Sequence, residues 1–479
     1  MRKLRSLLLG ASARHFSLAA ALCLAACAPD LGPQPELEAP QQLQTTKSFG
    51  NQSGLWPEDK WWQAYGDPEL NQLMAEALDA SPDLAIASAR LREARAVAQQ
   101  VGANLVPTVN FDGSSEAVKQ SLNQGFPDQI KSSLPHGWHT NTQLAASLNY
   151  ELDLYGKNHA ALAAATSEEA AAEVDMAEAR LAISTSIASA YAELVRLASD
   201  KAAAEDAVQI RDKSARLFDQ RESQGLENRG ATSQARANAD SARADEDVID
   251  GEISIVRNQI AALLGKGPDR GLEVPLPQAK RFHRPDLPAK LAADLIGRRP
   301  DLVAARLRAE AASERIKVAH ADFYPNINLN GLIGFQSLDI SKVFEHTSLI
   351  GAIGPAIHLP IFDGGRIEGA YRGARAGYDE AVAMYDKTLV NSMRDAADAL
   401  SSEREVDTEL AHARSALKES EAAYTTAKLR YQGGLSPYLN VLAAEDTLVL
   451  QRRRVANLEA RDLSQDVAVV RALGGGFRS

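Results

Sequence analysis

Few residues in this chain of 479 are of a type and spacing that could do covalent or metal chemistry. Its two cysteines, Cys23 and Cys27, stand four positions apart. Disulfide frameworks and zinc sites need more thiols, or thiols placed differently. His136 and His139, in Pro135-His136-Gly137-Trp138-His139, have an i, i+3 spacing but no further ligands, and they fall in a stretch that reads as an external loop. There is no HExxH, GxSxG or Walker A pattern. Gly265-Lys266 is followed by glycine rather than Ser or Thr, and it does not follow a strand. The expectation is a protein without catalysis, metal or cofactor. Cys27 is the exception, because of what precedes it.

A basic stretch from Arg2 to Arg14 leads into an apolar run, Phe16 to Ala26, too short to span a membrane as an anchor. Residues 1–26 thus read as a secretory signal peptide. Its end, Leu24-Ala25-Ala26-Cys27, resembles the bacterial lipobox, in which the cysteine becomes the lipidated first residue of the mature chain. Ala28 rather than Asp follows, and by resemblance to bacterial lipoproteins this favours the outer membrane. A triacylated cysteine suffices for stable anchoring, where a single chain is marginal. Residues 27–65 are then a lipidated N-terminal tether, rich in Pro, Gln and Glu over 28–55.

Charge narrows the partners. The formal net charge is 52 − 63 = −11, and removing Arg2, Lys3, Arg5 and Arg14 makes it 48 − 63 = −15. Nucleic acid is disfavoured, since phosphate binding needs basic surface, and so is peripheral attachment to anionic lipid. Mean hydropathy is −0.26, and no stretch after residue 27 reaches the ~20 apolar residues of a membrane helix. Only 5% of residues are aromatic. Alanine runs such as Ala160–Ala165 suit long, closely packed helices.

The elements follow from periodicity and punctuation. Asp67-Pro68-Glu69 starts a helix with Asp as N-cap and Pro at the first helical position. Ser81-Pro82-Asp83 starts another, which stops before Pro107. Leu144, Ala146, Leu148, Tyr150, Leu152 and Leu154 alternate with mostly polar residues, giving a strand near 143–154. Val109 and Phe111 mark a partner near 106–113, and the Ser/Gly/Pro-rich stretch 113–140 reads as a loop. Residues ~158–222 are one helix, ~97 Å long at 1.5 Å per residue. Met176, Ile183, Ala190 and Leu197 recur at the coiled-coil period of seven. Gly225-Leu226 marks a turn, and a second helix runs to about Leu264.

After a Pro- and Gly-rich break, the pattern repeats. At an offset of 218, ten of the 32 pairs from Pro82 to Gly113 are identical, among them Pro82, Asp83, Leu84, Pro107, Asn110 and Gly113. Strands are expected near 325–335 and 353–362, then a helix to about Tyr431. Gly434-Leu435 is a turn at offset 209 from the first, and Ser436-Pro437 caps a last helix with Val441, Leu448 and Val455 at sevens. The domain organisation is thus a first repeat over 66–265, a linker over 266–298, a second repeat over 299–473 and a tail over 474–479.

Each chain has four amphipathic strands of about the length, ~9–11 residues, that crosses an outer membrane. Four strands cannot close a barrel, and an open edge in lipid leaves backbone groups unpaired. The barrel must be shared between chains: two would give 8 strands, three 12 and four 16, all even numbers that occur. The long helices, with narrow seams, need neighbours on both sides, and twelve of them from three chains would form a second, α-helical barrel. The fold class expected is mainly α with a transmembrane β-barrel.

Trp61-Trp62-x-x-Tyr65-x-Asp67-Pro68-x-Leu70, Arg298-Arg299-Pro300-Asp301-Leu302, Pro360-Ile361-Phe362-Asp363-Gly364-Gly365-Arg366 and Ala472-Leu473-Gly474-Gly475-Gly476 resemble the TolC-type outer membrane factors. The lipobox places the chain with the lipoproteins that serve RND efflux systems, the NodT-like branch. The resemblance covers nearly all of 56–477. It implies a homotrimer with a shared 12-stranded β-barrel on an α-helical tunnel, a periplasmic adaptor and an inner membrane RND transporter as partners, and passive conduction of small molecules such as drugs.

Two places carry over residue by residue. Arg221-x-x-x-Gly225-Leu226 and Arg430-x-x-x-Gly434-Leu435-Ser436 match the family's tip motif, which resembles a docking site for the adaptor. Plain turn chemistry would also explain the glycines, but not an arginine at the same place in both copies. Relatives commonly have an Asp near the start of the last helix that forms an acidic ring closing the tunnel. Here Asn440 and Ala443 stand at those positions, so Leu439, Asn440 and Ala443 are the aperture candidates and an acidic gate is in doubt. Two alternatives stay open: the duct of a type I protein secretion system, and a non-channel periplasmic coiled-coil lipoprotein.

Overall fold

The computed structural model describes residues 28–39, 43, 56–123, 125, 127–277 and 297–478. Cys27, the signal segment and most of the 266–298 linker lie outside the described residues. The main elements are helices α1 (Pro68–Ala80) and α2 (Pro82–Gly102), strands β1 (Thr108–Lys119) and β2 (Trp138–Glu151), helices α3 (Lys157–Ser223) and α4 (Arg229–Leu263), helix α5 (Pro300–Ala321), strands β3 (Asn326–Ser337) and β4 (Leu349–His358), and helices α6 (Arg366–Gln432) and α7 (Leu439–Ala472). The chain divides into two compact units. Of the described residues, one comprises 28–36, Arg92–Ala170 and Arg306–Met384, and the other those within Leu37–Leu91, Ala171–Ala305 and Tyr385–Ser479.

The first unit holds the sheet, a four-stranded antiparallel meander in the order β1-β2-β3-β4. Register aligns the period-two patterns of all four strands. Val109 pairs with Leu148, Leu148 with Gly331 and Gly331 with Ile353. In the next row on the same face, Phe111 pairs with Ala146 and Ala146 with Ile333. Rows on the other face are mostly polar or small, as in Thr108, Asn149, Asn330 and Gly354, with Leu332 and Ile350 as exceptions. Among the described residues nothing covers the apolar face: Phe111 is 72% exposed and Ile353 80%. A sheet in water would bury such a face, at about 25 cal/mol per Å² of apolar surface. β1 and β4 each have one neighbour, so among the described residues both edges are unpaired.

The strands depart from expectation at their ends. β1 continues to Lys119 and β2 begins at Trp138, through the stretch read as a loop. Glu116 pairs with Asn141 and Lys119 with Trp138. Backbone pairing holds these residues, and it leaves no apolar alternation to read. β2 ends at Glu151 rather than Leu154 because Asp153 turns the chain into α3: its carboxylate accepts from the backbone N–H of Asn158 (3.1 Å) and His159 (2.9 Å). β4 is shifted to 349–358, so Leu359 and Ile361 lie beyond it. Asp363 there repeats the role of Asp153, accepting from Gly365 (3.0 Å) and Ile367 (2.7 Å), with Gly364 and Gly365 at positive φ. The Phe-Asp-Gly-Gly-Arg motif is therefore a strand-to-helix turn. His139 stands in β2 opposite Val118, and His136 precedes the strand.

In the same unit the N-terminal segment is fastened. Arg375 of α6 donates to the carbonyls of Gly32 (3.3 Å) and Pro33, and the Tyr378 hydroxyl donates to Pro35 O (3.0 Å). Within the stretch expected to be a tether, residues 28–39 are without helix or strand, and Gly32, Pro33 and Pro35 lie along α6, while Trp61–Tyr65 form a short 3-10 helix.

The second unit is helical. Asp67 caps α1 as expected, accepting from the N–H groups of Glu69 (2.9 Å) and Leu70 (3.1 Å). Trp61, Trp62 and the α1 residues Leu70, Leu73 and Met74 are buried against Ile187, Tyr191 and Leu194 of α3, Ile253 and Ile260 of α4, and Val467 of α7. A second core joins Leu302 to Leu389 and Met393 of α6 and Leu473. Three consecutive arginines of α7, at ~100° steps, reach three helices: Arg452 to Asp206 of α3 (3.1 Å), Arg453 to Asp245 of α4 (3.4 Å) and Arg454 to Glu409 of α6 (3.0 Å). The glycine run at the end is a packing device. A Cβ on Gly474 would stand 2.0 Å from Arg298 O, and one on Gly476 2.3 Å from Glu58 O. Arg299 donates to Asp301 (2.6 Å) and to Ala472 O (3.3 Å), tying the Arg-Arg-Pro-Asp-Leu and Leu-Gly-Gly-Gly motifs together.

Candidate functional site: the paired helical turns

The two turns are the same structure made twice. At the end of α3, the Gly225 N–H donates to Glu222 O (2.9 Å) and the Leu226 N–H to Arg221 O (2.8 Å). At the end of α6, Gly434 donates to Tyr431 O (3.0 Å) and Leu435 to Arg430 O (2.8 Å). This pair of bonds is a Schellman motif, which needs a left-handed residue at its centre. Gly225 has φ +69° and Gly434 φ +72°. Arg221 and Arg430 supply the carbonyl for the longer bond at identical positions, and their cations favour the negative end of a helix dipole. Leu226 and Leu435 are both largely exposed.

The two arginines differ in use. Arg221 lies over the Tyr431 ring, 5.7 Å from its centroid, and its Nε is 3.8 Å from Glu227. Tyr431 stacks edge-on against Tyr438 (5.1 Å), and Tyr438 against Phe218 (4.5 Å), so the turn of one hairpin is packed on the other. Arg430 is exposed, and its side chain has no ion pair or hydrogen bond among the described residues. The aromatic cluster was not found from sequence. Phe218, Tyr431 and Tyr438 are far apart in the chain, and only the pairing of the hairpins brings them together.

The helices that leave the turns start differently. Asn228 caps α4 by accepting from the Ala231 N–H (3.0 Å). Ser436 does not cap α7 as its position before Pro437 suggests. Its Oγ is buried without a hydrogen-bond partner among the described residues, and α7 starts at Leu439 after Tyr438, which makes no side-chain cap. Leu439, Asn440 and Ala443 are exposed on the first turns of α7, while Val441 and Glu445 are buried. The candidate aperture residues therefore share the uncovered side of the helix.

Glu445 is unusual. It is 1% exposed, and neither carboxylate oxygen accepts a hydrogen bond from a described residue. Arg211 of α3 comes within 3.9 Å of Oε1 but makes its close contact with Asp446. Burial pushes the Glu445 carboxyl up to about 7, with Asp446 adding to the rise and Arg211 opposing it.

The fold and the sequence agree with known proteins. The profile of the outer membrane efflux protein family matches residues 73–266 and 291–475, and the chain belongs to that family. It is similar to the multidrug resistance outer membrane protein MdtP of Escherichia coli K12, with 27% identity over 465 residues covering 94% of this chain and 93% of that protein. It is equally similar to the pyoverdine export outer membrane protein OpmQ of Pseudomonas putida, with 27% identity covering 97% and 98%. The crystal structure of the outer membrane protein VceC from Vibrio cholerae superposes with a TM-score of 0.82 at 41% identity, covering 88% of this chain and all of that one. The chain is an outer membrane efflux channel protein, of a family of channels rather than enzymes.

Proposed function

We propose that three copies of this chain form the exit duct of a tripartite RND-type efflux system, which passes small molecules such as drugs from the periplasm to the outside. The observation that carries this reading is the sheet: four strands with one exposed apolar face and two unpaired edges. In lipid the apolar face is satisfied, and the edges are satisfied only by strands of further copies. Three chains give twelve strands, an even number of the kind that outer-membrane barrels use. Conduction is passive, with energy supplied by the inner membrane transporter, and the chain itself catalyses nothing.

In this reading Cys27 is acylated and the fastened segment 28–39 leads the chain away from the lipid. The turns at Gly225 and Gly434 are separated from the strands by the 67 residues of α3 and α6. With Arg430, Leu226 and Leu435 exposed, they are the surface for the periplasmic adaptor. Leu439, Asn440 and Ala443 line the periplasmic aperture, without an acidic ring. Deleting the gene should raise susceptibility to drugs that the system exports, and a plasmid copy should restore resistance. Unchanged susceptibility across a broad drug panel, in a strain lacking redundant ducts, would count against drug efflux.

A further inference from the structure

Beside the candidate aperture, α7 buries a carboxylate whose oxygens have no hydrogen-bond donor. Glu445 lies two residues beyond Ala443 and one turn beyond Val441, facing inward. A buried carboxylate without a hydrogen-bond donor is a costly arrangement when ionised and a tolerable one when protonated. The charged and titratable groups around it are few. Arg211 approaches from α3, Tyr424 faces it from α6, and Tyr438 and Asp446 belong to the start of α7 and to α7 itself. Burial pushes Tyr438 up to about 12 and raises Tyr424, so both stay neutral near neutral pH. Arg211 has one cation for two carboxylates and is engaged with the exposed Asp446.

We propose that Glu445 is a proton-sensitive positioning residue of the aperture: protonated, it keeps the start of α7 packed on α3; ionised, it is a buried charge without a hydrogen-bond donor, only partly offset by an Arg211 that Asp446 already holds, and the cost of keeping it buried loosens that packing. The inference rests on the reading that Leu439, Asn440 and Ala443 line the aperture, since α7 holds all three.

The sign follows from linkage. The packed arrangement raises the carboxyl from 4.5 to about 7, so the stabilisation of the packed state is full below about pH 4.5. It declines as pH rises and is gone above about 7. The channel should accordingly be tighter in acid and leakier in mild alkali.

The test is single-channel conductance of the purified full-length protein in planar bilayers from pH 4.5 to pH 8. The wild type should show a rise in open probability of roughly tenfold or more across this range. Glu445→Gln, which keeps the shape and cannot ionise, should stay near the acid level throughout. Asp446→Asn removes the repulsion that raises Glu445 and frees Arg211, so its transition should move to lower pH. A flat wild-type profile overturns the proposal. So does a wild-type profile in Glu445→Gln, or a transition in Asp446→Asn that stays put or moves up. Asn440→Leu at one fixed pH reports on the aperture reading alone: unchanged conductance there removes that reading whatever the pH profiles show.

Discussion

Arginine and glycine at the tip illustrate what single residues do here. Gly225 and Gly434 occupy left-handed φ, which costs other residues roughly 1–2 kcal/mol. Neither has a heavy atom within 4 Å of where a Cβ would stand. Small residues would thus fit with strain, whereas a large one would also alter the outer surface. Gly434→Trp should abolish efflux while trimer abundance in the outer membrane stays near normal. Arg430→Ala should reduce efflux with little effect on thermal stability, because the side chain has no intramolecular partner among the described residues. Arg221→Ala should lower stability as well, by about 1 kcal/mol, since it removes the cation over Tyr431. Drug susceptibility and melting of the purified variants measure both. Equal stability loss in the two arginine variants would show that their surroundings are not distinguished in this way. The spacing Arg-x-x-x-Gly-Leu was legible in the sequence because the Schellman motif is local. The burial of Glu445 was not legible, because it depends on how α7 meets α3.

Elements were legible where their signal was periodic. The 67-residue helices α3 and α6 were expected to within a residue or two, since long proline-free stretches end at capped turns. Strand ends were not. The outer parts of β1 and β2 have polar side chains such as Ser114, Ser115 and Glu116, and only backbone pairing makes them strand. The inner ends were overextended because Leu152, Leu154, Leu359 and Ile361 continue the alternation past the last paired residues, Glu151 and His358, into the turns that Asp153 and Asp363 close. The apolar rows themselves, once aligned by register, imply lipid on one side. Ile353→Lys puts a charge on that face and should cost about 2–4 kcal/mol if it lies near the bilayer midplane, and less nearer its edges. Urea unfolding of protein refolded in lipid vesicles would measure this, with Asn330→Lys on the polar face as the comparison. A larger loss from Asn330→Lys would reverse the assignment of the faces.

For the molecule as a whole, the strands and the helices make one demand. Four strands leave two edges, and a backbone edge in hydrocarbon costs several kcal/mol for each unsatisfied group. Two chains would also give an even number of strands, but the match to outer membrane channel proteins and the need of each helix for neighbours on both sides favour three. The strand count in the sequence required a shared barrel without choosing among two, three or four chains, and three came from the resemblance of its motifs to the family. The Ala-rich seams gave no means of choosing the number, because the partner faces belong to other copies. The most direct measurement is native mass spectrometry of the folded, detergent-solubilised protein purified from outer membranes. The account predicts a single species of three subunits, each beginning at an acylated Cys27. A monodisperse folded monomer or dimer would contradict the shared barrel, and with it the duct.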